Sequence, residues 1–126
     1  MSYHKASPTG GVKADSSKPQ LELLPRRGLE EIAKVLTFGA HKYDRDNWRK
    51  GLEWSRCIGA AQRHLLAYAN GETHDPETGL SHLAHAGCNI LFVLEYERTH
   101  PELDDRPGQK VSTLSEDLQD FIHGME

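Results

Sequence analysis

The segment SHLAHAGCNILFVLEYER, residues 81–98, limits the possible folds more than any other part of the chain. Read at helical spacing it is apolar nearly all round, with Leu83, Ala86, Ile90, Val93 and Leu94 filling most of its circumference. Such a helix needs cover on more than one side. Ser81 is a good N-cap for it, and HPELDDRPG breaks it after Arg98. Polar residues interrupt it, and His82, His85, Asn89 and Tyr96 fall on one stripe. An unpaired buried polar group costs about 1–3 kcal/mol. The stripe is therefore expected to face a cavity, a metal or other polar groups.

Two more helices precede it. Pro25 introduces the first, near Arg26 or Gly28, and Leu29, Ile32, Leu36 and Tyr43 share its apolar face. Gly39 weakens its end and the DRDN cluster stops it. Ser55 is expected to cap a second helix from about Arg56 to Asn70, with Ile58, Ala61, Leu65 and Tyr68 facing inward and Gly71 closing it. Thr113 and Glu116 have the spacing of a capping box ahead of a short C-terminal helix from about Leu114 to His123. No alternating strand pattern of useful length and no internal repeat is present.

The 126 residues suffice for one domain. The expected fold is all-α: three main helices plus the short C-terminal helix, an antiparallel bundle completed by homo-oligomerisation as a homodimer or homotetramer. Residues 1–20 read as a flexible arm, 21–100 as the helical domain, and 101–126 as a linker and the C-terminal helix. Cys57 and Cys88 sit in helical patterns and are expected to be buried without a bridge. A net charge of −4 argues against binding long nucleic acid, which demands a basic face, but leaves room for a single nucleotide. No apolar run has the length of a membrane span, and the N-terminal residues lack the apolar core of a secretory signal, so a cytoplasmic location is expected.

Two regions carry candidate chemistry. The loop GETHDPETG is short, so the helices it joins should be antiparallel neighbours. That places Glu72, Asp75 and Glu77 beside the end of the second helix, with Arg63 and His64, and beside His82 and His85. Carboxylates suit Mg²⁺ or Mn²⁺, and added imidazole favours Mn²⁺ or another transition metal. Glu72, Asp75, His64, His82 and His85 are the candidate metal ligands; taken singly, each reads better as a solvated loop charge, a helix-end residue or a satisfied core histidine, and it is their clustering that favours the metal. The other region is FGAHKYDRDNWRKG, residues 38–51. Tyr43 and Trp48 offer aromatic faces, Asn47 a hydrogen-bonding edge, and Lys42, Arg45 and Arg49 cations for phosphate oxygens. That set answers the needs of a nucleotide better than those of a plain helix connector. No HExxH, no CxxC pair and no P-loop is present.

The stretches FGAHKYDRDNW and RHLLAYANGETHDPETGLSHLAHAGCNILFVLEYE resemble the phage-encoded dATP/dGTP diphosphohydrolase family. The shared pattern is GAxKY…NW followed by RHxxA…GExxDxExGxxHLxHAxxN, over roughly residues 10–98. That family is similar to the all-α (MazG-like) nucleoside triphosphate pyrophosphohydrolases. The resemblance implies the reaction dNTP + water → dNMP + pyrophosphate on a purine deoxynucleotide, with a divalent metal, in the cytoplasm of a phage-infected host. Glu72 or Asp75 would orient or deprotonate the water, and Lys42, Arg63 and Arg56 would offset phosphate charge. Tyr43, Asn47, Trp48 and Asn89 would hold the rest of the substrate. The wider superfamily carries its metals on Glu-x-x-Glu and Glu-x-x-Asp pairs in helices. Here Glu30 and Glu31 are adjacent, His85 and Asn89 stand in the third helix, and the pair Glu72 and Asp75 lies in the loop. Two other readings stay open: a non-catalytic protein that sequesters a nucleotide, and an HD-type phosphohydrolase built on His74–Asp75.

Overall fold

The computed structural model describes residues 5–15 and 17–108. Ser81 caps the third helix as its sequence suggests: its Oγ accepts the Leu83 N–H at 3.1 Å, and α3 runs His82–Thr99. The first helix, α1, spans Arg26–Lys42 behind Pro25. The second, α2, spans Trp54–Ala69 and begins earlier than Ser55 would dictate. Ser55 is not its cap. The Ser55 N–H and hydroxyl donate to Asp105 at 2.9 and 2.5 Å, so a residue distant in sequence satisfies a free donor of the first turn. A 3₁₀ turn, Pro101–Leu103, folds the chain after α3 back onto this end of α2 and delivers Asp105.

The other end of α2 closes as a Schellman motif. The Glu72 N–H reaches the Ala67 carbonyl and the Gly71 N–H the Tyr68 carbonyl, with Gly71 at φ +100°. The connection then turns back through a single antiparallel bridge between His74 and Ser81. Helices α2 and α3 pack as antiparallel neighbours. The Trp54 indole N–H donates to the His100 carbonyl at one end of the pair, and His64 meets His82 at the other. Helix α1 crosses α3 at Gly87, where a Cβ would stand 3.0 Å from Ile32 Cδ1. The core forms around Trp54, Cys57 and Tyr96, with Trp48, Ile58, Phe92 and Leu103 against it. Both cysteines are buried and unbridged.

Three expectations need correction or delimiting. The buried face of α2 is Trp54, Cys57 and Ala61, while Leu65 and Tyr68 are exposed. The interior side of the last turns is taken by His64, which polar contacts hold there, and this turns the leucines outward. Residues 5–13, within the expected arm, carry a small antiparallel ladder, Lys5–Ala6 against Val12–Lys13. The C-terminal helix expected over 114–123 lies outside the described residues. Among the described residues the architecture is all-α with three main helices and short 3₁₀ turns, and none of the helices is long and apolar enough to cross a membrane.

Candidate functional site

The junction of α2, the 70–81 connection and α3 gathers a chain of polar side chains. The Schellman turn points Glu72 at the start of α3, where its Oε1 lies 2.6 Å from His82 Nε2. His82 is buried, 4% exposed, and its Nδ1 lies 2.8 Å from His64 Nδ1. The His64 ring stacks on His85, centroids 4.6 Å apart and 9° from parallel. His85 Nε2 lies 2.7 Å from Thr78 Oγ1, and the Thr78 backbone N–H donates to Asp75 Oδ2 at 3.0 Å. One ligand atom from each of His64, Asp75 and His82 falls within 4.8 Å of the others.

The protonation states follow from the partners. Burial, reinforced by the neighbouring imidazoles His85 and His82, pushes His64 below the usual histidine range. Burial also pushes His85 down, against the pull of Asp75. Burial would raise Asp75, but the hydrogen bonds from Thr78 and the nearby imidazoles outweigh it and keep the carboxyl below its ordinary value. Glu72 Oε1 accepts from His82 Nε2, and in a neutral His82 that leaves Nδ1 as a lone pair. Two lone pairs cannot face each other at 2.8 Å, so a proton on one of the two Nδ1 atoms or a cation must lie between them. Two adjacent ligands on an octahedral cation at about 2.1 Å stand roughly 3 Å apart. The His64–His82 spacing suits adjacent ligands of a divalent ion, Asp75 offers an oxygen within 4.8 Å of both, and Glu72 stands behind His82 as a carboxylate that would orient it.

A cavity of about 330 Å³ opens beside this centre. His64, Asp75, Thr78, His85 and Asn89 form one wall, and Lys42, Tyr43, Arg45, Asn47 and Trp48 form the other. The two candidate regions of the sequence thus share one space. Lys42 spans them, with its Nζ 2.8 Å from Glu77 Oε1 and 5.3 Å from the Tyr43 ring centre. Tyr43 is 59% exposed where it lines the cavity. Asn89 uses its amide N–H to back-bond the His85 carbonyl at 3.0 Å. Cys88 also lines the cavity, and burial pushes its thiol up to about 11, so it is no nucleophile near neutral pH.

Not every expected residue reaches the cavity with a free side chain. Trp48 stacks on Phe92, centroids 5.0 Å apart, and carries the Arg49 guanidinium 4.4 Å from its ring, so its faces serve packing first. Arg63 is exposed on α2 and Arg56 pairs with Glu53; neither lines the cavity. Glu30 and Glu31 make local ion pairs with Arg26 and Lys34. His74 is exposed and takes part through its backbone bridge. Thr78, which ties Asp75 to His85, was missed by sequence reasoning. Its position between the two aspartate-loop acids and Ser81 was the available signal.

Fold and site together define a helical domain whose antiparallel helix pair holds a histidine–aspartate centre beside a cavity large enough for a small molecule. Residues 8–106 match the family described as dATP/dGTP diphosphohydrolase, N-terminal, and the chain belongs to that family. It is similar to a dATP/dGTP diphosphohydrolase of Salmonella phage PMBT28, 42% identical over 96 residues. That match takes in 76% of this chain and 33% of the relative, so the chain spans about a third of the relative's length. No solved structure matches significantly.

Proposed function

We propose that this domain is a metal-dependent hydrolase of a purine deoxynucleoside triphosphate, dGTP or dATP, releasing the monophosphate and pyrophosphate. The observation that carries the reading is the shared cavity: the Lys42–Trp48 segment and the His64–Asp75–His85 centre face one space sized for a mononucleotide. Family membership and the name of the phage relative agree with it. His64, Asp75 and His82 would hold a divalent ion, Mn²⁺ or Mg²⁺, with Glu72 fixing His82 and His85 completing the wall. Bound there, the ion supplies Lewis acidity at phosphate and an acidified water.

The chain's own residues do the rest. Asp75, kept ionised by Thr78, would orient the attacking water as a hydrogen-bond acceptor. Lys42 exchanges Glu77 for phosphate oxygens and offsets charge that moves to the leaving group, aided by Arg45. Tyr43 and Asn47 hold base or sugar, and Trp48, packed between Phe92 and Arg49, supports them. The exposed leucines of α2 and α3, among them Leu66, Leu83 and Leu94, are the surface a second copy would cover in a homodimer or homotetramer. A nucleotide substrate also places the domain in the cytoplasm of the infected cell.

The test is incubation of the folded protein with each dNTP and Mn²⁺ or Mg²⁺, with the products separated. Pyrophosphate and dNMP, lost in Asp75→Asn, are expected. Nucleotide recovered intact from a stable complex would instead make the protein a sequestering binder. Inorganic triphosphate or single phosphates as products would favour the HD-type reading.

A further inference from the structure

The turn Asn47–Lys50, which presents Asn47 and Trp48 to the cavity, is held from below by the C-terminal end of α3. The Tyr96 hydroxyl, fully buried, donates to the Trp48 carbonyl at 2.5 Å. One residue further on, the Arg49 carbonyl lies 2.8 Å from His100 Nε2. The other ring nitrogen, His100 Nδ1, lies 2.9 Å from Glu102 Oε1. Gly51 follows at φ +99°, pressed against the His100 ring and Leu103.

A carbonyl and a carboxylate are both acceptors, and a neutral imidazole has a single N–H. Only the imidazolium makes both bonds. On losing its proton His100 keeps the N–H on the carboxylate side and turns a lone pair onto the Arg49 carbonyl, which pushes the turn away. We propose that His100 is a positioning residue: as an imidazolium held by Glu102 it clamps the 47–51 turn and sets nucleotide affinity. The proposal rests on the reading that this turn binds nucleotide.

The groups around His100 do not compete for that proton. Tyr96 meets the ring edge-on at 5.6 Å, and burial pushes its phenol up to about 12, so it stays neutral. The Arg49 guanidinium is drawn to Asp46 and the Trp48 face. From α2 the Trp54 indole reaches only the His100 carbonyl. Glu102, and after it the Arg49 carbonyl, hold His100 above the usual histidine range.

Two measurements test this. Nitrogen-15 NMR of the full chain without nucleotide should find both His100 ring nitrogens protonated near neutral pH, and Glu102→Gln should move that titration to lower pH. Binding of the α,β-methylene analogue of dGTP, followed against pH, should weaken as pH rises through the His100 titration. Between the variant and wild-type His100 titrations Glu102→Gln should bind roughly five- to tenfold more weakly than wild type, and well below both equally well. Glu102 is 63% exposed, so the variant should fold, which circular dichroism checks. Singly protonated His100 at neutral pH overturns the clamp, as does an alkaline loss of affinity at the same pH in wild type and variant. A wild type that binds no analogue at any pH overturns the nucleotide reading itself, and the role assigned to His100 falls with it.

Discussion

Glu72 is where a ligand can be told from the group that orients one. Its Oε1 lies 2.6 Å from the Nε2 of buried His82, and its own side chain is 54% exposed. Removing the carboxylate behind a metal-bound histidine weakens binding by about 10- to 100-fold. Glu72→Gln keeps an acceptor and loses charge at a half-exposed position, which puts it at about tenfold. Glu72→Ala also strands a buried N–H and belongs near the upper limit. With Mn²⁺ at 100 times the wild-type Kd, binding adds about 2.7 kcal/mol to folding stability, and a tenfold weaker site adds about 1.4. The manganese-induced rise in Tm should therefore roughly halve in Glu72→Gln and nearly vanish in Glu72→Ala. Calorimetric titration of the nucleotide-free protein, paired with thermal unfolding, measures both. Asp75→Ala, which loses a direct oxygen, should bind more weakly than Glu72→Gln. A Glu72→Ala protein that takes up Mn²⁺ as tightly as the wild type would refute the reasoning, because His82 would then need no partner to serve as a ligand.

Glu77→Gln should release Lys42 for phosphate and lower the KM for triphosphate a few-fold. Stability should stay within about 0.5 kcal/mol, since the Lys42–Glu77 pair is exposed; a higher KM would instead place Glu77 in the site. Acid should destabilise the metal-free protein through His64 and His85. Their folded pKa values lie below the unfolded ones, so the unfolded chain binds more protons between the two, and stability falls as pH drops through and below the ordinary histidine range. Urea unfolding across that range checks it: a flat profile contradicts the claim, and His85→Gln should remove part of the slope. Gly51→Ala should cost about 1–3 kcal/mol, since φ is +99° and the new Cβ would meet Leu103 Cδ1 at 2.7 Å. A change under about 0.5 kcal/mol in denaturant unfolding would show that the turn relaxes freely.

Local signals in the sequence were enough for features that local chemistry decides. Ser81 caps α3, Gly71 closes α2, and the stripe of His82, His85, Asn89 and Tyr96 turns inward. Features decided by distant partners were not legible. Nothing near Ser55 says that Asp105 will bind it, so the start of α2 was misplaced. Hydropathy favours Leu65 over His64 for the interior, yet contacts with His82 and His85 hold His64 there. The loop acids were recognised as a group, but their division was not. The Schellman geometry sends Glu72 to His82, the Thr78 turn holds Asp75 by the cavity, and Glu77 goes to Lys42. Neighbours in sequence thus take three different tasks, and spacing alone carries no information on which does what.

That division bears on the metal. The pyrophosphohydrolases this chain resembles hold their ions with pairs of helix carboxylates, a dense negative charge suited to Mg²⁺. Here one carboxylate, Asp75, stands within ligand range beside two imidazoles, and Glu72 acts through His82. Neutral nitrogen donors add affinity for transition metals and little for Mg²⁺, so Mn²⁺ should bind well ahead of Mg²⁺ in direct titration. The lower negative charge would also repel a triphosphate less, so in the proposed reaction Lys42 and Arg45 would need no further row of cations. A titration in which Mg²⁺ matches Mn²⁺ would mean that oxygen ligands dominate, and that the imidazoles line the centre without entering it.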